Sequence, residues 1–324
     1  MNNDNLQLDF LIKGILEELS APLNKAGFYY RVFSRSKSSH SIKKKLTAKK
    51  DIYTPEGKKL QDIIGIRFVF YFAEDVEIFA NYLRNRQEFI DESNSTTDLK
   101  NASKTHQGDK LLNNLCDIVF MPNRLNLVFK MNNRQTKDLH NNLSGHNQEF
   151  DTQLIDNTYE IQLRTVLSEG WHEVEHDLRY KCRNAPWWGD CSEESRMLNG
   201  IYASLETNER ALEHLFSKMA YKNYKKGDWQ AMLRNHFRIK FIEESLSEEM
   251  HSFLTQNPSL PKFLLKYDKA ELSQHLFKAN GPYPLKMDNI IHLINEIRGD
   301  KKNKDLSSKI PETLKNIISD RFLD

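Results

Sequence analysis

Residues 63–72 read IIGIRFVFYF, a run of β-branched and aromatic side chains set between Asp62 and Ala73-Glu74-Asp75. Such a run suits a buried central strand. Asp75 to Arg86 then carries helical periodicity, so strand and helix form a βα unit. Upstream, YYRVFS (29–34) reads as a short strand, and residues 39–49 as a helix capped by Ser39 or Ser41, with Ile42, Lys45 and Leu46 on one side. Further back, residues 6–27 space Leu8, Leu11, Ile15 and Leu19 as an amphipathic helix closed by Gly27.

Downstream, residues 116–131 read as strand around a Pro122-Asn123 bend. YEIQLRT (159–165) alternates, with Tyr159, Ile161, Leu163 and Thr165 on one face and Glu160, Gln162 and Arg164 on the other. One face packs, and the other presents an acid, an amide and a cation. The polar stretches 91–114 and 132–157 read as mobile insertions.

From Leu167 the pattern is helical through Tyr180. After the turn-like RNAPWWGD (183–190), whose Trp187-Trp188 pair reads as a clasp on the core, comes a longer helix, about 195–220. It lines up Leu198, Ile201, Leu205, Leu212, Leu215 and Met219 as core or as a self-association seam, with Asn208 interrupting. A charged break, Lys222 to Asp228, sets a boundary between residues 1–222 and a helical module, 228–324, with helices over 229–251, 261–279, 287–297 and 311–322. The class is α+β: a mixed sheet flanked by helices, with a C-terminal α-helical module.

At 324 residues the chain can bury a core without staples. It is 39% hydrophobic and 28% charged, with no apolar run near the roughly 20 residues of a membrane span. Met1-Asn2-Asn3-Asp4 lacks the basic start and apolar stretch of a secretory signal, so a cytoplasmic location is expected. Cys116, Cys182 and Cys191 are odd in number and lack zinc-knuckle spacing, which predicts reduced thiols. The net charge is only +2, yet residues 31–60 hold ten basic side chains against two acidic ones. An anionic partner is expected there.

Arg35, Lys37, Ser41 and Lys45 supply a forked donor, two point charges and a hydroxyl, the groups that hold a polyphosphate. Asp62 and Glu160, each at the start of a strand, offer hard oxygen ligands for magnesium, which needs few protein carboxylates when phosphates complete its shell.

In that order, three stretches resemble the RelA/SpoT synthetase family, and more nearly its small and toxic alarmone synthetases. RSKSSHSIKKKL (35–46) resembles R-x-K-x-x-x-S-I-x-x-K, and LQDIIGIRFVF (60–70) resembles D-I-x-G-I-R. YEIQLRTVLSEGWHEVEHDLRYK (159–181) resembles E-I-Q-x-R-T followed by W-x-x-x-E-H and Y-K. The resemblance covers about residues 20–220. It implies a nucleotidyltransferase-like sheet and Mg2+-dependent transfer of the β,γ-pyrophosphate of ATP to a ribose 3′-hydroxyl, as in synthesis of the alarmone ppGpp during the stringent response. Carried over, Arg35 and Arg67 would sandwich the donor adenine, while Lys37, Ser41 and Lys45 would hold its phosphates. Asp62 and Glu160 would bind Mg2+, with Glu160 also taking the hydroxyl proton. Gln162, Arg164 and His176 would face the acceptor.

The chain departs from the family at the acceptor loop. Where relatives that take GDP or GTP carry G-Y-x-S-x-H, this sequence reads Met121-Pro122-Asn123-Arg124-Leu125-Asn126, so the tyrosine that stacks on guanine is missing, and Arg124 reads either as a substitute that stacks on the base through its guanidinium plane or as a solvated turn residue. An unusual acceptor follows: an adenine nucleotide, or the 3′ end of tRNA as in translation-blocking toxins of toxin-antitoxin systems. Lys218, Lys222, Lys225, Lys226, Arg234, Arg238 and Lys240 offer a landing surface for tRNA.

By analogy with fused inhibitory domains, residues 229–324 form a regulatory, partner-binding or self-association module. A catalytically silent RNA- or partner-binding module on the same fold is the rival reading. His172-Glu173-x-x-His176 also matches the H-E-x-x-H of zinc proteases, with Glu193, Glu194 or Glu206 as third ligand. Membrane and DNA are not expected partners.

Overall fold

The computed structural model describes residues 8–94, 125–144, 151–180, 191–242 and 245–322. Helix α1 (Asp9–Lys25) leads into strand β1 (Tyr30–Ser36) and helix α2 (Ser39–Ala48). The α2 cap is Ser38, one residue before the expected serine. Its hydroxyl accepts from Ser41 N at 3.3 Å and donates to Ser41 Oγ at 2.9 Å.

Strand β2 (Ile64–Phe70) and helix α3 (Ala73–Arg84) form the βα unit read from the sequence. Strands β3 (Phe89–Asn94), β4 (Leu125–Lys130) and β5 (Thr158–Thr165) complete a five-stranded sheet in the order β1-β2-β5-β4-β3. Its centre is the parallel pair β2–β5, and every other neighbour is antiparallel. Alternation sends Ile66, Phe68 and Phe70 of β2, Ile161 and Leu163 of β5, and Leu127 and Phe129 of β4 into a core. Phe79 of α3 seals this side, with its ring 5.2 Å from Phe68 and 5.6 Å from Phe70.

The stretch 132–157, read as a mobile insertion, holds helix α4 (Asn133–Ser144) and a short turn at Thr152–Leu154. Asn132 and Gln135 cap α4 reciprocally, each backbone N–H donating to the other's side-chain oxygen at 2.9 Å. Leu139 and Leu143, one turn apart, are fully buried. Thr165 then caps helix α5 (Val166–Val174), which passes into a π-helical turn, Glu175–Tyr180.

Helix α6 (Ser192–Lys226) is the long helix expected from the sequence. Ile201, Leu212, Leu215 and Met219 of its apolar seam are exposed rather than core. Seven α-helices follow among the described residues: α7 (Trp229–Phe237), α8 (Glu248–Gln256), α9 (Ser259–Leu264), α10 (Lys269–Lys278), α11 (Met287–Glu296), α12 (Lys304–Ser308) and α13 (Glu312–Phe322). The two runs expected over 229–251 and 261–279 are each broken, the first by a left-handed cap at Arg238 (φ 50°). Cys116, Cys182, Trp187 and Trp188 lie outside the described residues. No helix among the described residues is long and apolar enough to cross a membrane.

The chain divides into two compact units, Met1–Glu17 with Tyr30–Glu209, and Glu18–Tyr29 with Arg210–Asp324. The helical unit therefore includes the end of α1, where the sequence placed a boundary only near 222–228. Lys25 Nζ donates to Ala279 O at 2.9 Å, and the Phe28 ring lies 5.4 Å from Phe277. Gly27 takes a φ of +69°, and Lys240 N donates to Gly27 O at 2.7 Å.

A Cβ at Gly27 would lie 2.8 Å from Lys240 O, so a side chain meets both a left-handed backbone and a backbone clash. Gly27→Ala is expected to destabilise this unit by about 2 kcal/mol. A urea melt of the full chain checks this, and an unchanged midpoint would refute it.

Candidate active site

The sheet register assembles the site. Arg35 lies opposite Gly65, and Gly65 opposite Glu160. One step along, Phe33 lies opposite Arg67, Arg67 opposite Gln162, and Gln162 opposite Asn126. These positions share the face that points away from the apolar core. The Arg35 side chain runs beside Gly65: a Cβ built there would meet Arg35 Cγ and Nε at 3.7 Å, ordinary van der Waals contact. The guanidinium stem lies across the bare backbone.

Two adjoining groups of residues line cavities on this face. The first, about 190 Å³, contains Asp62, Glu160, Lys45, Tyr53 and Lys58. Lys37 Nζ and Lys45 Nζ both donate to Asp62 Oδ2, the latter at 2.8 Å, and Lys37 Nζ also reaches Asp62 O at 3.1 Å. Burial opposes ionisation of Asp62. The hydrogen bonds and charges of Lys37 and Lys45 outweigh it and hold the carboxyl below its usual range. Burial likewise opposes the charge on Lys45, but Asp62 raises its pKa overall. Asp62 Oδ1 is buried and has no hydrogen-bond partner.

The second cavity, about 450 Å³, is lined by Phe33, Arg35, Arg67, Gln162, Glu169 and Glu173 among others. Arg67 Nε donates to Gln162 Oε1 at 2.9 Å, and its Nη1 donates to Glu169 Oε1 at 2.6 Å and to Glu173. Three partners fix the guanidinium plane. Burial works against its charge, and the two glutamates more than compensate, so its pKa is raised. Glu169 Oε2 is buried without a partner. The sequence reading missed Glu169 and Glu173, although their spacing of four, just after EIQLRT, puts both on one face of α5.

The structure thus brings Arg35, Lys37, Lys45, Asp62, Arg67, Glu160 and Gln162 together. Ser41 is exposed in the first turn of α2, one turn from Lys45, and lines neither cavity. Arg164 departs from the expected cleft position. It is buried and donates to Leu163 O at 2.8 Å, Leu125 O at 3.2 Å and Asn126 Oδ1 at 2.9 Å, so it ties β5 to β4. His176 is exposed in the π-helical turn, with Nδ1 2.9 Å from Asp177 Oδ1. Arg124 lies outside the described residues.

The zinc reading of His172-Glu173-x-x-His176 does not survive this geometry. His172 is buried beside Trp171 and Tyr202, Glu173 pairs with Arg67, and His176 faces solvent beyond the change from α- to π-helix. No group of three His, Cys, Asp or Glu residues is placed to hold a metal among the described residues. Trp171 and Glu175 have structural work: Trp171 Nε1 donates to Leu198 O at 3.0 Å, and Glu175 accepts from Arg179, which also bonds Asn199.

Residues 34–185 match the family described as the region found in RelA / SpoT proteins. The chain carries a RelA/SpoT domain. A search of curated proteins finds no match. Among solved structures, small alarmone synthetase 1 from Bacillus subtilis bound to its product pppGpp is 19% identical with a TM-score of 0.40, over 66% of this chain and 96% of that one. A GTP pyrophosphokinase family protein from Streptococcus pneumoniae is 20% identical with a TM-score of 0.40, over 63% of this chain and 90% of that one. Every residue of the two cavities named above except Phe33 falls within the RelA/SpoT domain.

Because Asp62 is ionised more readily folded than unfolded, its contribution to stability is complete above the unfolded aspartate pKa of about 4. It is lost as pH falls through the lower folded value. Lys45→Met is expected to move the folded Asp62 pKa upward. A carboxyl 13C NMR titration reads this directly, and an unmoved titration would contradict the pairing.

Proposed function

We propose that the chain is an ATP pyrophosphokinase, transferring the β,γ-pyrophosphate of ATP to the 3′-hydroxyl of a nucleotide ribose and releasing AMP. The observation that carries this reading is Asp62 Oδ1, a buried carboxylate oxygen without a partner, in a cavity shared with Glu160 and Lys45. Two carboxylates without a third protein ligand fit Mg2+, whose remaining positions phosphates and water fill. Held by Asp62 and Glu160, the ion would supply charge neutralisation across the phosphates.

The remaining chemistry belongs to the chain. Lys37 and Lys45 exchange part of their bonding from Asp62 to phosphate oxygens, so the lysine charge that stabilises the resting carboxylate serves the substrate. Arg35, beside Gly65, and Arg67, fixed by its three partners, offer guanidinium planes to a base. Glu169 Oε2 is an acceptor suited to the exocyclic amine of adenine, a group guanine lacks at that position. Glu160 takes the proton of the 3′-hydroxyl. The 3′-oxygen then bonds to the β-phosphorus as the bond from that phosphorus to the α,β-bridging oxygen breaks, and AMP leaves. Such transfer depends on alignment and charge more than on covalent help.

A tRNA 3′ end is the second reading for the acceptor, favoured by Lys218, Lys222, Lys225 and Lys226, exposed over the last turns of α6. Arg238 does not join them, because it is buried.

The test is a transfer assay with γ-labelled ATP and Mg2+, offering GDP, GTP, ATP and deacylated tRNA separately. Asp62→Asn and Glu160→Gln are each expected to cut AMP release by about a hundredfold or more with the circular dichroism spectrum unchanged. Full activity in either variant overturns the mechanism. Transfer to no acceptor by the unaltered chain would favour the silent binding module.

A further inference from the structure

The helical unit contains a cavity of about 330 Å³ where α8, the first turns of α11 and residues 306–311 converge. This lies at the lower end of volumes that hold small molecules. Its lining is built from three kinds of group. Met250, Phe253 and Leu306 supply apolar surface. Glu249 and Asp288 supply two carboxylates, and Lys286 and Lys309 two ammonium groups. His292, only 5% exposed, contributes a ring whose buried Nδ1 has no hydrogen-bond partner.

We propose that this cavity binds a small zwitterion, an α-amino acid with an apolar side chain. Asp288 and His292 would receive its ammonium group, and Lys286 and Lys309 its carboxylate, with Glu249 holding Lys309 in place.

The charge balance selects this class. With two carboxylates against two ammonium groups, a net anion such as a nucleotide meets two like charges, and a net cation meets the lysines. A divalent ion is not favoured, since no three His, Cys, Asp or Glu residues are grouped for one among the described residues. Burial lowers the pKa of His292 against the opposing charges of Asp288, Glu296 and Glu249, which favours the neutral ring; in the tautomer with its proton on Nε2, Nδ1 accepts from a ligand ammonium.

The rim is already ordered. Lys309 Nζ donates to Glu249 Oε1 at 2.8 Å and lies 5.8 Å from the centre of the Phe253 ring, while Asp288 Oδ1 accepts from Ser247 N at 3.2 Å. A buried acceptor without a partner is costly, and a ligand ammonium removes that cost. Asp288 and His292 are four residues apart on α11, so one helix face presents both to the same ligand group.

Isothermal titration of the full chain tests this with leucine, methionine and phenylalanine as probes. The leucine fragments 3-methylbutylamine, without the carboxylate, and 4-methylpentanoate, without the amine, serve as controls. At least one amino acid is expected to bind saturably with a Kd of about 1 mM or tighter. Each fragment should bind at least about tenfold more weakly than leucine if leucine is the ligand, and Lys309→Met should lose a similar factor.

His292→Leu stays close in volume and removes Nδ1, and should abolish binding. If it fails to fold, the exposed Lys309→Met variant carries the test. No saturable binding of any of the three amino acids, fragments equal to the parent, or full affinity in Lys309→Met would overturn the proposal. The readout is binding alone, so it stands or falls apart from pyrophosphate transfer.

Discussion

The parallel pairing of β2 with β5 is the constraint on which the rest of the RelA/SpoT domain depends. Side chains along a strand alternate, so a register that puts Gly65 beside Glu160 and Arg67 beside Gln162 also puts Ile66 beside Ile161 and Phe68 beside Leu163. The apolar half of that bargain is strongly favourable, since all four of those core side chains are buried. A slip of β2 by one residue would bury Arg67 and expose Phe68, and a slip of β5 would bury Glu160 and expose Ile161. Core packing therefore fixes the separation of the polar groups, and the site inherits its rigidity from residues that take no part in chemistry.

Within that frame, charge is arranged as matched pairs instead of a bare basic patch. The excess of positive charge over residues 31–60 suggests mutual repulsion, yet Lys37 and Lys45 converge on one carboxylate oxygen of Asp62. Arg67, on the other side of the sheet centre, is held by Glu169, Glu173 and Gln162. Asp62 and Arg67 thus each have counter-charges close by, which offset much of their desolvation. The same arrangement leaves Asp62 Oδ1 and Glu169 Oε2 without partners, one beside each group of cations. An unsatisfied buried oxygen in a well-paired network marks where a further group belongs.

Much of this was legible in the sequence because strand periodicity and short-range motifs are local. The run 63–72 and the alternation in 159–165 match strands β2 and β5, and they place Arg67, Glu160 and Gln162 on the face the structure shows. Helix α4 was hidden by composition: its Asn- and Gln-rich surface masks two leucines, although the Asn132–Gln135 capping box was present to be read. Arg164 shares the face of Glu160 and Gln162, but alternation cannot report that a neighbouring strand's carbonyls will satisfy a guanidinium. The H-E-x-x-H spacing misled for a related reason. Two histidines four apart share a face only if the helix stays α, and here it becomes π at Glu175.

The division of the chain was the least legible feature, because it rests on contacts far apart in sequence. Nothing local marks Glu18 as a point where α1 passes from one unit to the other. The links are tertiary: Lys25 reaches the end of α10, Phe28 meets Phe277, and Gly27 admits the backbone of Lys240 at a distance that no side chain permits. Helices α7–α13 are short, and helices of that length are marginal alone. They hold together through such contacts, so residues 18–29 close the helical unit from the opposite end of the chain. Cutting at residue 228 would strip those residues of their partners while leaving them attached, through α1, to the RelA/SpoT domain. The functional unit that a deletion must respect is therefore discontinuous, and loss of activity on truncation at 228 would report damage to α1 as readily as loss of a regulator.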